Sequence, residues 1–335
     1  MSENSKIEWT DHTFNPWEGC QKVGPGCDHC YAETRNARFS GGTAVNWGPD
    51  APRRRTSIAN WRKPLAWDRQ AGEFYAKHLR RQRVFCASLA DIFDNQVPIQ
   101  WLVDFLRVCA ATPNLDKLVL TKRIGNVTSR LAEALSYVGC QKGCASDPML
   151  RWIGDWLDGD HAPTDIWLGA TVVNQAEADR DVPKLLCTPA SVRFLSMEPL
   201  LGPVDLTRIK LKDAEHPELG QPPIRINALR GWYGGAGNPA RLDWVIVGGE
   251  SGPGARPMHP DWAISLCGQC ASHDVPFLFK QWGEWVPMMG HVEGVTVTGQ
   301  KFTHADGTIM GRAGKKAAGR LLAGLRYDGF PEGAV

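Results

Sequence analysis

No stretch of the sequence is both long and apolar enough to cross a bilayer: residues 185–201, among the longest apolar stretches, are broken by Pro189, Arg193, Glu198 and Pro199. A spanning helix needs about 20 consecutive apolar residues, so no membrane partner is expected. The first residues, Met-Ser-Glu-Asn-Ser-Lys, lack the apolar core of a secretory signal, which leads us to expect a cytoplasmic protein. Net charge is nearly absent at +2, internal repeats and low-complexity tracts are missing, and 43% of the residues are hydrophobic. That composition excludes a disordered or collagen-like chain. What remains is a globular protein of 335 residues, long enough for one large α/β barrel with insertions or for two ordinary domains.

Cysteine, by contrast, is plentiful, with ten in the chain. Disulfide frameworks belong to short secreted chains, so metal or redox chemistry is the better expectation. Charge is also uneven. Residues 50–83 carry ten Lys or Arg against Asp50, Asp68 and Glu73, interleaved with Trp61 and Trp67 and preceded by Trp47. Such a stretch suits a nucleic acid, with charges for phosphates and rings for bases, or equally a solvated basic loop whose tryptophans sit in the core.

Short runs rich in β-branched and aromatic residues alternate with helix-like segments, the pattern of parallel strands joined by crossover helices. Six strands are expected, at residues 83–88, 117–121, 166–171, 192–197, 244–248 and 276–280, with a short seventh at 7–10. Helices are expected at 99–111, 124–137, 175–186 and 261–272. Residues 136–163 and 207–241 read as insertions, and the tail from 286 to 335 as an extension packed on a body formed by 1–285; its 314–320 stretch reads as a short basic helix with a solvated face.

Parallel α/β folds bind ligands at the carboxyl ends of their strands. Those ends hold Ser88 and Asp91, Lys122 and Arg123, Asn174 and Gln175, Glu198, Gly248-Gly249-Glu250-Ser251, and Lys280-Gln281-Trp282. Lys122, Lys280 and Glu198 are the candidate catalytic groups. Ser88, Asp91, Arg123, Gln281 and Trp282 are candidate substrate contacts, each with the plainer role of cap or loop residue beside it.

The densest signal is Gly19-Cys20-Gln21-Lys22-Val23-Gly24-Pro25-Gly26-Cys27-Asp28-His29-Cys30-Tyr31. Its C-x6-C-x2-C spacing lies in a Gly/Pro-rich loop, which can turn several thiolates inward. Three thiolates suit a [4Fe–4S] cluster with one open iron. Zinc completed by His29 or His12, or unmetallated thiols, are the competing readings. Cys140 with Cys144, or Cys267 with Cys270, would serve a second metal, whereas Cys86, Cys109 and Cys187 read as core residues.

These residues carry a resemblance. Ile7-Glu8-Trp9-Thr10, Phe14-Asn15-Pro16-Trp17-Glu18-Gly19-Cys20, the cysteine loop, Phe194-Leu195-Ser196-Met197-Glu198-Pro199-Leu200-Leu201-Gly202-Pro203, Val245-Ile246-Val247-Gly248-Gly249-Glu250-Ser251-Gly252, Phe279-Lys280-Gln281-Trp282-Gly283-Glu284-Trp285 and residues 314–321 together resemble a phage- and bacterium-associated three-cysteine-motif family grouped with the radical S-adenosylmethionine (SAM) enzymes. The resemblance implies a partial (β/α) TIM-like barrel, a [4Fe–4S] cluster on Cys20, Cys27 and Cys30, and SAM on the open iron. Tyr31, Asn174, Gln175, Glu198, Gly248, Gly249, Glu250 and Ser251 are then the candidate SAM contacts. The family chemistry is homolytic cleavage of SAM to a 5′-deoxyadenosyl radical, which removes hydrogen from a C–H bond after an electron arrives from a donor such as flavodoxin or ferredoxin. The phage association points to a nucleobase or modified thymidine of DNA as substrate, rearranged or otherwise modified in the host cytoplasm. Two departures stand out: the superfamily spacing is C-x3-C-x2-C with an aromatic residue before the third cysteine, where this chain has His29, and no Gly-Gly-Glu follows Ser88. The alternative function is a non-catalytic nucleic-acid-binding protein with a structural zinc or iron–sulfur site.

Overall fold

The computed structural model describes residues 4–332 except 142, 160, 212–223, 232–239, 289–296 and 298. Seven parallel strands form one sheet in chain order: β1 (His12–Phe14), β2 (Gln82–Cys86), β3 (Leu115–Thr121), β4 (Ile166–Thr171), β5 (Val192–Met197), β6 (Trp244–Gly248) and β7 (Phe277–Gln281). The sheet curls into a half-barrel, consistent with a partial α/β barrel. Helices α1 (Tyr31–Phe39), α2 (Ile99–Ala110), α3 (Val127–Gly139), α4 (Pro148–Asp158), α5 (Gln175–Cys187) and α6 (Pro260–Ala271) fall between the strands.

Three of the expected strands, at 166–171, 192–197 and 244–248, have the observed bounds, because continuous apolar runs covered on both faces end where the polar residues begin. The short strand expected at 7–10 is instead a turn, and β1 follows it. There Thr10 donates its hydroxyl to the carbonyls of His12 and Arg83, each at 2.8 Å, while Trp9 leaves the sheet for the core. Residues 136–163 are not simply an insertion: they contain α4, capped by the Asp147 side chain, which buries Met149, Ile153 and Trp156 as part of the β3–β4 crossover. Most of the expected insertion at 207–241 lies outside the described residues.

Side chains alternate across the strands, so each strand feeds two cores. Val84, Val119, Leu168, Leu195 and Val247 face the helices, whereas Phe85, Leu118, Trp167, Phe194, Ile246 and Leu278 fill the inside together with Trp9 and Trp244. Trp9 lies 4.6 Å from Phe85, and Trp244 lies 5.1 Å from Phe330 of the tail, ring centre to ring centre. Gly169 makes room for this filling, because a Cβ there would stand 2.3 Å from the Phe194 ring. The interior is thus plugged by aromatic rings at one level, which leaves the carboxyl ends of the strands as its open mouth.

Past β7 the chain forms an antiparallel sheet of β8 (Trp285–Pro287), β9 (Lys301–Thr303) and β10 (Ile309–Arg312), with β10 in the middle. The tail then returns along the free edge of β7, where Phe279 donates to the Tyr327 carbonyl and Gly329 to the Phe277 carbonyl, both at 3.0 Å. An edge strand that would otherwise offer unpaired backbone is covered. Among the described residues no helix is long and apolar enough to cross a membrane.

Candidate metal centre

The loop from Gly19 to Cys30 lies across the open mouth. Gly19 adopts φ +116°, where glycine is favoured, and a Cβ would meet the Asn46 carbonyl at 2.7 Å. This places Gly19 beside Ala90 and Cys20 beside Trp47 in parallel bridges. A turn of 3-10 helix, Pro25–Cys27, buries Cys27, and Cys30 caps α1. The loop meets one strand end after another. Tyr31 donates its hydroxyl to the Ser88 carbonyl beyond β2; Val23, Gly24, Gly26 and Cys27 line a small cleft with Lys122, Thr171, Glu177 and Arg180 beyond β3 and β4; and Gly26 faces Pro199 beyond β5.

Beyond β6, Arg256 ties the loop down. Its guanidinium donates to Asp28 Oδ2 at 2.9 Å and to the Pro25 carbonyl at 2.9 Å while it grips Glu250. His29 Nδ1 lies 3.0 Å from Glu250 Oε2. Burial pushes the Glu250 carboxyl up, but the hydrogen bonds from Arg256 and His29 outweigh it and hold the group below its ordinary value. Glu250 therefore stays ionised as a loop anchor, which differs from the SAM contact expected of it.

Cys20 rests on a buried charge network. Arg123 Nη1 donates to Cys20 Sγ at 3.4 Å and to Asp91 Oδ2 at 3.2 Å, and Nη2 donates to the Gln21 carbonyl at 3.0 Å. Arg53 Nε donates to Asp94 at 2.9 Å. Burial pushes the Cys20 thiol up to about 11 against the pull of the Arg123 guanidinium. Asp91 also accepts from Thr121 Oγ1, the Lys122 amide and the Phe93 amide. Asp91 and Arg123, expected to touch substrate, are instead turned to one another and to the cysteine loop.

The remaining candidates divide between the mouth and the framework. Glu198 accepts from Lys280 Nζ at 2.9 Å through Oε2, while its buried Oε1 has no partner. Gly248 makes room for that oxygen, since a Cβ would sit 2.6 Å away. The buried Gln281 Oε1 is likewise without a partner, and its amide donates to Ser251 Oγ at 3.1 Å. Lys122 Nζ donates to Thr171 Oγ1 at 3.3 Å. Asn174, however, caps α5 through the Glu177 amide, and Gln175 has its oxygen on the Asp205 amide and its nitrogen on Asp179. Gly249 packs on the Trp282 backbone, Trp282 is itself buried and donates to the Leu321 carbonyl, and Ser88 Oγ accepts from Asn15 at 3.0 Å. These residues hold the scaffold. The sequence assigns no role to Asn15, Asp94 or Arg256, and names His29 only as a zinc ligand; Arg256 follows Gly-Gly-Glu within a glycine-rich turn, which is the available signal.

The three thiols of the loop are the donors that a metal centre here would use. Tetrahedral zinc with bonds of about 2.3 Å separates its sulfurs by about 3.8 Å. Among the described residues the only trio of His, Cys, Asp or Glu ligand atoms gathered within 4.8 Å is His259, Asp261 and Asp306, so the three thiols are spread wider. That trio is committed elsewhere: His259 Nδ1 accepts the Asp261 amide at 3.1 Å, so Nε2 carries the proton it gives to Asp306 at 2.9 Å. Cys270 is core, Cys140 is exposed, and the Cys144 side chain lies outside the described residues.

Half of the basic stretch is paired, with Arg53 on Asp94 and four more of its arginines on other carboxylates. Glu18 pairs with Arg35 and Arg54, Asp104 with Arg55, Asp11 with Arg80 and Asp116 with Arg81. Trp61 and Trp67 are buried, the latter stacked on His12 at 4.3 Å. A family model described as a protein of unknown function (DUF5131) matches residues 4–331, and the chain belongs to that family. No curated protein and no solved structure matches it.

Proposed function

We propose that this member of the DUF5131 family is a radical SAM enzyme whose [4Fe–4S] cluster is held by Cys20, Cys27 and Cys30. The observation that carries the reading is the position of the cysteine loop, which spans the carboxyl ends of β2 to β6 over a half-barrel closed by aromatic rings below. Three thiols without a fourth cysteine in the loop leave one iron open for a chelating ligand.

When bound, a reduced cluster with SAM supplies hydrogen abstraction from unactivated C–H bonds, and the protein contributes orientation and exclusion of water. Glu198 would hold the SAM ammonium or ribose through its unpartnered Oε1, with Lys280 bonded to Oε2 on the other side. Gln281 would add an amide acceptor beside it. Lys122, which lines a cleft together with Cys27, would receive an anionic group of SAM or substrate. The substrate proposed from the sequence, a nucleobase or modified thymidine of DNA, would enter at this mouth, since Trp61 and Trp67 belong to the core.

The test is anaerobic reconstitution of the full chain with iron and sulfide, reduction with dithionite in the presence of SAM, and chromatography for 5′-deoxyadenosine. Formation of that product by the wild type and its loss in Cys27→Ala are expected. A loaded cluster that releases none, or a chain that takes up zinc and refuses iron, would overturn the reading.

A further inference from the structure

Behind Cys20 lies a group that neither ligation nor SAM binding requires. Arg123 is buried at 8% exposure, and its guanidinium is shared between the Cys20 sulfur, the Gln21 carbonyl and Asp91. Asp91 already accepts three hydrogen bonds from Thr121, Lys122 and Phe93, and the nearby Asp94 is engaged by Arg53. Asp91 and Asp94 are thus balanced by two buried arginines, and the Nη1 that Arg123 gives to Asp91 also faces the Cys20 sulfur.

Building on the cluster reading, we infer that Arg123 is a positioning and redox-tuning residue: its N–H···S bond fixes Cys20 for ligation and raises the reduction potential of the cluster. One-electron reduction adds negative charge that spreads onto the thiolate sulfurs. A hydrogen-bond donor with a fixed positive charge beside one of them stabilises the reduced state more than the oxidised state. The planar fork is essential to the double task, since one nitrogen meets the sulfur while the other holds the backbone of the next residue. A lysine ammonium on a flexible stem keeps the charge without that geometry.

The experiment compares wild type with Arg123→Lys and Arg123→Gln, each reconstituted anaerobically as the full chain. Iron content is measured first, and an EPR-monitored redox titration with dithionite follows. Both variants are expected to shift the couple to more negative potential. At fixed applied potential the reduced-to-oxidised ratio should fall on the order of tenfold, equivalent to about 59 mV for one electron. Arg123→Lys should fall less than Arg123→Gln. Should the variants fail to fold, the wild type grown on isotope-labelled arginine decides the matter: pulsed EPR of the reduced cluster should show a nitrogen coupling that changes with the label. A loaded cluster with neither an arginine nitrogen coupling nor a shifted potential overturns this inference alone. A wild type that assembles no cluster overturns it together with the proposed function.

Discussion

Arg256 grips Glu250 with two hydrogen bonds, Nη2 to Oε1 at 2.7 Å and Nε to Oε2 at 2.9 Å, and from there reaches Asp28, 228 residues earlier in the chain. A glycine-rich loop is flexible by composition, and its closure over the mouth costs conformational entropy. The clasp offsets that cost at a strand end where a carboxylate, a guanidinium and an imidazole converge.

Removing the guanidinium should therefore loosen the loop. In Arg256→Met the Glu250 carboxylate, only 5% exposed in the paired state, keeps His29 and loses its principal partner. Breaking a buried pair costs about 3–5 kcal/mol, and the partial exposure of Arg256 reduces this to about 2 kcal/mol. Urea unfolding of the cluster-free chain reads the stability, and iron retention on gel filtration reads the loop. Wild-type values in both would show that the clasp does nothing for the loop.

Acid should undo the same clasp. The folded carboxyl of Glu250 titrates below its ordinary 4.5, so its contribution is fully present above that value and disappears as pH falls through the folded pKa. Glu250→Gln, which never carries the charge, should be less stable than wild type at neutral pH. The gap between the two should narrow steadily below about pH 4.5. Parallel unfolding curves of the two proteins from pH 6 down to about pH 3 would contradict this assignment.

The strands were readable where chemistry and geometry coincide locally. Val192–Met197 and Trp244–Gly248 are apolar runs stopped by Glu198 and by a glycine pair, so composition alone marks both ends. β1 escaped notice because three residues, two of them polar, carry too little periodicity to register; they become a strand only through pairing of His12–Phe14 with Val84–Cys86. The cysteine loop was visible because its three cysteines are close in sequence. The Arg256 clasp and the Arg123–Cys20 contact were not, since each joins residues more than a hundred positions apart; local reading gave Arg123 a substrate role and Arg256 none.

Gly169 tests the plugged interior. Its missing Cβ admits the Phe194 ring, and Gly169→Ala would drive a methyl group to 2.3 Å from that ring. Overpacking of this kind costs about 1–3 kcal/mol, which thermal unfolding would register as a clear fall in Tm. Trimming the ring in a Gly169→Ala, Phe194→Leu double variant should recover part of the loss. A double variant less stable than the sum of its parts would mean that the ring does not occupy this space.

Metal loading should separate the cysteines by place and not by spacing alone. Cys20→Ala, Cys27→Ala and Cys30→Ala should each abolish iron and sulfide binding, measured after reconstitution. Cys140→Ala and Cys267→Ala should leave it unchanged, because Cys140 is exposed outside the mouth and Cys267 lies on α6, packed against the helix-side core. Iron lost from either of the latter would mark a second centre and break the link between the loop and the whole of the bound metal.

The Glu198–Lys280 pair gives opposite expectations for its two halves. Their ion pair is 2.9 Å long and mostly buried, and the second carboxylate oxygen is buried without a hydrogen-bond partner. In Glu198→Gln the charge that would receive an ammonium is gone. A charge-assisted hydrogen bond is worth about 1.5–3 kcal/mol, so SAM affinity for the reconstituted protein should weaken by about 10- to 100-fold. Lys280→Met removes the competitor instead. The carboxylate is then left without its internal cation, so the ligand-free chain should lose stability, while a cationic ligand becomes the partner that restores it. SAM affinity in Lys280→Met, measured by calorimetry, should equal or exceed that of wild type despite the lower Tm, because binding regains what folding lost. Equal loss of SAM affinity in both variants would make the pair a structural strut and leave the ammonium site elsewhere at the mouth.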